Sequence, residues 1–240
     1  MIFECRRYTL QPGRMADFIA LQHRRGFDGP NAGFISRVIG YFETVTGTPE
    51  QIVHLYRYDG YEDWIEKLHG LYAIPELAFY FTEARAMVDR QETNFFQPAP
   101  LAALCPLWHG ETDWLPGKGR ERWDLRAMPD AVVEETLEAF RPGGLPAYWQ
   151  AMEECGLAAT APMRGDTVAT WWSMTGRLHV VASYRLFASL AERERCRREA
   201  ADGPAMAAFD AALRPILRER STTLLRPVPV PPMSPLFRHD

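Results

Sequence analysis

Cysteine is scarce. Cys5, Cys105, Cys155 and Cys196 are the only four in 240 residues, and no two form C-x-x-C, so neither a zinc site nor a redox dithiol is signalled and disulfides are not expected. Lysine is scarcer still, with Lys67 and Lys118 alone among 27 basic residues; this arginine bias fits the codon usage of a GC-rich genome better than a chemical requirement. A formal net charge of −4 argues against a surface for nucleic acid or anionic membrane, both of which need a basic field. No stretch approaches 18 uninterrupted apolar residues and no charged-then-apolar leader precedes the first strand-like run, so a soluble, cytoplasmic protein is expected. H-E-x-x-H, EF-hand, P-loop, G-x-G-x-x-G and G-x-S-x-G patterns are all missing, and no metal or organic cofactor is expected.

What is present is ordinary globular material, 47% apolar and 24% charged. Residues 2–10, "IFECRRYTL", alternate as a strand, and "RMADFIALQHRRG" follows with Met15, Phe18, Ile19 and Leu21 on one helical face. "RVIGYFETVTG" and "QIVHLYRYDG" read as a hairpin. "YEDWIEKLHGLY" and "PELAFYFTEARAMVDR" read as helices and "QETNFFQP" as a closing strand. The order is β-α-β-β-α-β.

The second half repeats this order. "RWDLRA" is expected as a strand, "DAVVEETLEAF" and "LPAYWQAMEECG" as helix, "DTVATWWSMTG" and "RLHVVASYRLF" as a hairpin, and "SLAERERCRREA" and "AMAAFDAALRPILRER" as helices before "STTLLRP". Thr46-Gly47 matches Thr175-Gly176, Tyr56-Arg57 matches Tyr184-Arg185, and Pro75 matches Pro204. One repeat of this length means two copies of a supersecondary unit. The expected domains are 1–100 and 120–228, joined by a Pro/Gly-rich linker at 98–119 that holds Trp108, Trp114 and the turn 116–119. An extended, polyproline-like tail is expected at 229–240.

A β-α-β-β-α-β chain forms a four-stranded antiparallel sheet with both helices on one face. The expected fold is therefore α+β: two ferredoxin-like units packed sheet to sheet as a pseudo-dimeric α/β barrel. Alternation puts Phe3 and Cys5 on one face of the first strand and Glu4, Arg6 and Tyr8 on the other; Val53 and Leu55 likewise oppose His54, Tyr56 and Tyr58. With the apolar set assigned to the helices, the polar and aromatic set is expected to look into the barrel.

The motifs "FECRRYTLQPG", "IGYFETVTGTPEQIVHLYRYDGYEDW" and "QETNFFQPAP" resemble those of the NIPSNAP family, with weaker echoes in "WDLR", "VASYRL" and "TTLLRPVPVPPMSPL". The resemblance spans 1–100 closely and 120–236 loosely. It implies a tandem NIPSNAP-like protein on the ferredoxin-like, dimeric α/β-barrel architecture, a fold that hosts several chemistries and selects none.

His54 is the expected proton-transfer residue, since imidazole titrates near neutrality, with Glu4 and Arg6 as a carboxylate–guanidinium pair that clamps a ligand or fixes register. Tyr8, Tyr56, Tyr58 and Phe42 are expected to contact the ligand from the first half, and Asp124, Arg126, Trp171, Trp172 and Tyr184 from the second. The function expected is binding or cofactor-independent transformation of a small organic metabolite in the barrel. The alternative is a non-catalytic ligand-binding or protein-interaction module, and a homo-oligomer is compatible with either.

Overall fold

The computed structural model describes residues 1–108, 122–164 and 166–239. In chain order the elements are β1 (Ile2–Leu10), α1 (Met15–Arg25), α2 (Ala32–Ile35), β2 (Val38–Thr44), β3 (Gln51–Tyr58), α3 (Tyr61–Tyr72), α4 (Ala78–Met87), β4 (Val88–Pro98) and β5 (Trp123–Asp124). There follow β6 (Val132–Phe140), α5 (Gly144–Ala151), α6 (Leu157–Ala159), β7 (Asp166–Ser173), β8 (Val180–Phe187), α7 (Leu190–Ala201), α8 (Pro204–Leu213), β9 (Leu217–Pro227) and β10 (Phe237–Arg238). A π-helical stretch, Met152–Gly156, joins α5 to α6.

The chain divides into two compact units. The first holds residues 1–96, 122–127 and 225–239; the second holds 97–108, 128–164 and 166–224. Each half thus gives its last segment to the other unit, a division different from the simple one at 1–100 and 120–228. Trp114 and the turn at 116–119 lie outside the described residues.

In the first unit the strands run antiparallel in the order β4-β1-β3-β2, and Leu225–Pro227 add to the edge of β2. The registers that matter below pair Glu4 with Tyr56, Arg6 with His54 and Tyr41 with His54. Residues 229–239 are not polyproline-like throughout: Pro231–Met233 form a 3-10 turn, and β10 pairs in parallel with β5. Ser234 Oγ donates to the Tyr41 carbonyl at 3.0 Å, which ties this arm to the sheet.

The second unit repeats the arrangement as β9-β6-β8-β7. Its first strand is β6, built from the segment expected as a helix, "DAVVEETLEAF". Glutamate, leucine and alanine favour helices, but Val132, Val133 and Thr136 favour strands, and tertiary partners decide. Arg193 and Arg197 of α7 bind Glu134, and Arg220 of β9 binds Glu138, while the backbone from Val132 to Ala139 pairs along β8. The strand expected at "RWDLRA" is reduced to Trp123–Asp124, because Pro129 and the turn before it end any ladder.

Backbone landmarks fix the true register between the halves. Leu10 N–H donates to Glu50 O as Phe140 N–H donates to His179 O. Glu50 and His179 are the two non-glycine residues with positive φ among the described residues, at 53° and 60°. Gly13 and Gly143, each after a proline, both take left-handed φ, 78° and 80°. On this register His54 corresponds to Ser183, Tyr56 to Arg185, and Arg6 to Thr136.

Because the left-handed region costs an L-residue about 1–2 kcal/mol, Gly13→Ala and Gly143→Ala are each expected to lower thermal stability even though a Cβ there meets nothing within 4 Å. Gly70→Ala, inside α3 with equally open space, is expected to raise it by roughly 0.5–1 kcal/mol. Calorimetric unfolding of the three variants checks both signs.

Candidate functional site

The helices of the first unit lie over the face of the sheet that carries Glu4, Arg6, Tyr8, His54 and Tyr56, not over the apolar face. Trp64 of α3 donates its indole N–H to Glu4 Oε1 at 3.2 Å, and the Tyr8 ring meets Phe18 of α1 at 6.4 Å. The expectation that these groups look away from the helices is therefore reversed. The physical reason is hydrogen-bond supply: buried polar side chains need partners, and α1, α3 and α4 present Gln22, Arg25, Trp64 and Tyr80. Phe3, Cys5, Val53 and Leu55, also buried, fill the opposite face.

Between sheet and helices lies a cavity of about 140 Å³. Its floor is Arg6, Tyr8, Tyr41, His54, Tyr56 and Gln91; its roof is Gln22 and Arg25 of α1, Phe34 of α2, Leu71 and Tyr72 of α3, and Tyr80, Phe81, Ala84 and Arg85 of α4. The C-terminal arm contributes Met233. Among the described residues, no aspartate or glutamate lines it.

Arg6 is fully engaged on one side. Its Nε donates to Glu4 Oε1 at 2.7 Å, and its guanidinium lies 5.0 Å from the Tyr56 ring centroid and 5.4 Å from that of Phe34. Burial works against its charge, but Glu4 and the phenol oxygens around it prevail and hold Arg6 cationic. Its Nη2 has no partner.

His54 is the polar centre. Its Nδ1 lies 3.1 Å from Tyr56 Oη, its ring is flanked by Tyr41 at 4.3 Å and Tyr8 at 4.5 Å, and Nε2 is buried without a hydrogen-bond partner. Burial, followed by the positive charges of Arg6 and Arg25, pushes its pKa well below the usual imidazole value, so the ring is neutral near pH 7. Tyr41 Oη also lacks a partner, and burial holds the Tyr41 and Tyr56 phenols protonated.

The remaining expected residues lie elsewhere. Tyr58 packs on Tyr56 at 6.2 Å, beside the cavity and not on its wall. Phe42 sits on the opposite sheet face against Phe237, 5.7 Å away, because strand alternation gives the cavity position to Tyr41. Asp124 and Arg126 form an exposed pair at 2.9 Å, with the Asp124 carboxyl held down to about 2 chiefly by its hydrogen bonds from Arg126. They do not stand where Glu4 and Arg6 stand, since "WDLR" is not the first strand of its unit. In the second unit Trp171 packs on Tyr184 at 5.4 Å; both occupy the face away from the helices, and Trp172 is half-buried on the other.

With this geometry established, comparison places the chain among known sequences. The NIPSNAP family profile matches residues 3–103 and 139–232. The chain belongs to the NIPSNAP family. Both matched regions fall in the duplicated halves of this NIPSNAP protein, the first containing every cavity residue but Met233. A search of the curated proteins finds no match. Among solved structures, a Lactobacillus acidophilus protein described as a "putative monooxygenase" shares the fold over 94% of this chain and 93% of its own, at 10% identity and a TM-score of 0.56. An "anthrone oxidase-like protein" does so over 95% and 91%, at 14% identity and 0.53. An uncharacterised NIPSNAP-like domain protein from Burkholderia xenovorans is 24% identical over 42% of this chain and 87% of its own, with a TM-score of 0.40.

The second unit does not rebuild the site. Where the first unit has Arg6, Tyr8, His54 and Tyr56, the second has Thr136, Glu138, Ser183 and Arg185, and its Glu134 is taken up by Arg193 and Arg197. Among the described residues no three His, Cys, Asp or Glu side chains gather as a metal site, and no helix is long and apolar enough to cross a membrane.

Gln22, Arg25, Tyr41, Tyr80 and Met233 were not anticipated from the sequence. A signal existed for two of them: Gln22 and Arg25 follow Phe18 by four and seven residues, on the helical stripe that also buries Leu21, and an arginine on a buried stripe is unusual.

The depressed His54 pKa has a thermodynamic consequence. The unfolded chain binds a proton near pH 6.5 that the folded chain refuses, so stability is full above that value and falls as pH drops below it. A slope approaching ~1.4 kcal/mol per pH unit is expected below about pH 6.5. Denaturant unfolding at stepped pH is expected to show this slope reduced in His54→Gln.

Proposed function

We propose that the protein binds a small organic metabolite in the cavity of the first unit and moves a proton on it, with His54 as base and with no resident cofactor. The observation that carries this reading is His54 Nε2, a buried, unpartnered imidazole nitrogen on the wall of a polar cavity. A buried polar group left unpaired costs about 1–3 kcal/mol, and a ligand atom that fills the gap recovers it.

In the productive tautomer Nδ1–H donates to Tyr56 Oη, leaving the Nε2 lone pair toward the ligand. A C–H bond beside a carbonyl breaks, its proton goes to Nε2, and its electron pair moves onto the carbonyl oxygen. Tyr41 Oη–H donates to that enolate oxygen, and the Arg6 charge favours it further. Returning the proton from Nε2 to another carbon on the same face of the enolate completes an isomerisation without a co-reactant. Tyr8 packs against the imidazole and shapes the floor; Glu4 positions Arg6.

We read the two halves as tandem ferredoxin-like copies in which the first keeps the site and the second serves as scaffold. Phe42, Asp124, Arg126, Trp171, Trp172 and Tyr184 have no part in it. The test is hydrogen–deuterium exchange at the α-carbon of aryl ketones, 1,3-dicarbonyls and keto acids in D2O, followed by NMR. The wild-type protein is expected to accelerate exchange of at least one class, and His54→Gln to reduce that acceleration by about 10²-fold or more. Exchange at the buffer rate throughout, or an unaffected His54→Gln variant, contradicts the reading.

A further inference from the structure

Arg25 is a buried cation without a carboxylate. It lies on α1 in the cavity roof, is 9% exposed, and makes no ion pair among the described residues. Its Nη1 donates to Tyr80 Oη over 3.4 Å and its Nη2 reaches Met233 Sδ at 3.0 Å, a long contact and a weak acceptor. Its Nε has no partner. The guanidinium is nevertheless held in place: it lies 4.9 Å from the Tyr80 ring centroid and 5.7 Å from that of Phe27, and Tyr80 Oη in turn donates to Gln22 Oε1 at 3.2 Å.

This arrangement differs from the one beneath it. Arg6 has its counter-ion in Glu4 at 2.7 Å, whereas Arg25 has only neutral neighbours. A guanidinium left in the interior without an anion is destabilising; a protein interior that does so is complementary to an anion it does not itself supply. Arg85, exposed and on the cavity lining, adds a second positive charge beside Arg25, and among the described residues no acidic side chain lines the cavity, so the local field favours a negative ligand.

We infer that the ligand of this cavity is a small organic carboxylate, bound through its carboxylate group by the guanidinium of Arg25, with the remainder of the molecule lying against His54 and Tyr41. The inference rests on the reading of the cavity as a small-molecule site and narrows it to a substrate class. Arginine recognises a planar carboxylate through two parallel N–H donors, and Nε with its neighbouring Nη is the edge that the protein leaves least satisfied. The volume sets the size: a void of about 150 Å³ accepts a molecule such as benzene, and at about 140 Å³ this cavity accepts a ligand that is, carboxylate included, no larger than one six-membered ring, such as a short linear or branched chain acid. Met233, from the far end of the chain, closes the cavity beside Arg25, so the C-terminal arm is part of the anion site.

The experiment is calorimetric titration of the full chain with three matched pairs, acetate and acetamide, pyruvate and pyruvamide, isobutyrate and isobutyramide, at pH 7. At least one carboxylate is expected to bind tenfold or more tightly than its amide. Arg25→Gln is expected to abolish that preference by bringing carboxylate affinity down to that of the amide, and Arg25→Lys to restore part of it, since lysine keeps the charge but loses the fork. Equal binding of acid and amide by the wild-type protein overturns the carboxylate assignment and leaves the small-molecule reading standing. Absence of binding for all six probes at millimolar concentration overturns both. A carboxylate preference that survives in Arg25→Gln and Arg25→Lys moves the anchor elsewhere and overturns the role of Arg25.

Discussion

The 2.7 Å pair between Arg6 Nε and Glu4 Oε1 is the interaction on which the first unit's arrangement depends. Two charges can enter a protein interior together when each neutralises the other and further hydrogen bonds complete the shell. Here Trp64 adds a second donor to the same carboxylate oxygen, and the Tyr56 and Phe34 rings cover the guanidinium. Because Trp64 and Phe34 come from α3 and α2, the pair can be satisfied only if its face of the sheet turns toward the helices. Register then carries His54 and Tyr41 to the same side, and the cavity is the space that these polar groups and the helix roof leave unfilled.

Duplication gives this arrangement its asymmetry. Both units keep the order of strands, the left-handed glycines and the strained hairpin positions Glu50 and His179. They part company at the polar face. Glu134 keeps the place of Glu4, but its partners are Arg193 and Arg197 on a helix instead of an arginine two residues along the strand. Tyr148 and Arg220 converge on Glu138 where the first unit has Tyr8. Charges that face a cavity in one copy are paired internally in the other, so one copy is free to hold the fold while the other holds a ligand.

Much of this was legible in the sequence. Strand alternation named the residues that share the face of His54, and the paired Thr-Gly turns announced the repeat. The direction of that face was not legible, because alternation separates two sets without saying which one the helices cover; polar residues on α1, Gln22 and Arg25, were the missing clue. The strand β6 was hidden by helix-favouring glutamates whose arginine partners lie some sixty to eighty residues further on. "WDLR" resembled "FECR" in spelling, yet Trp123 stacks on Phe237 at 5.4 Å and its short strand ends after Asp124. Met233 lies more than two hundred residues from Arg25, a proximity no local pattern encodes.

The central claim is that His54 sits neutral and unpartnered at a ligand cavity, and nitrogen-15 NMR of the histidine-labelled protein tests it most directly. The His54 imidazole is expected to keep neutral-ring shifts as pH falls from 8 to 6, and its Nε2 resonance to move when a cavity ligand is added. An imidazole that titrates with an ordinary midpoint near 6.5, and that no added ligand disturbs, would contradict it.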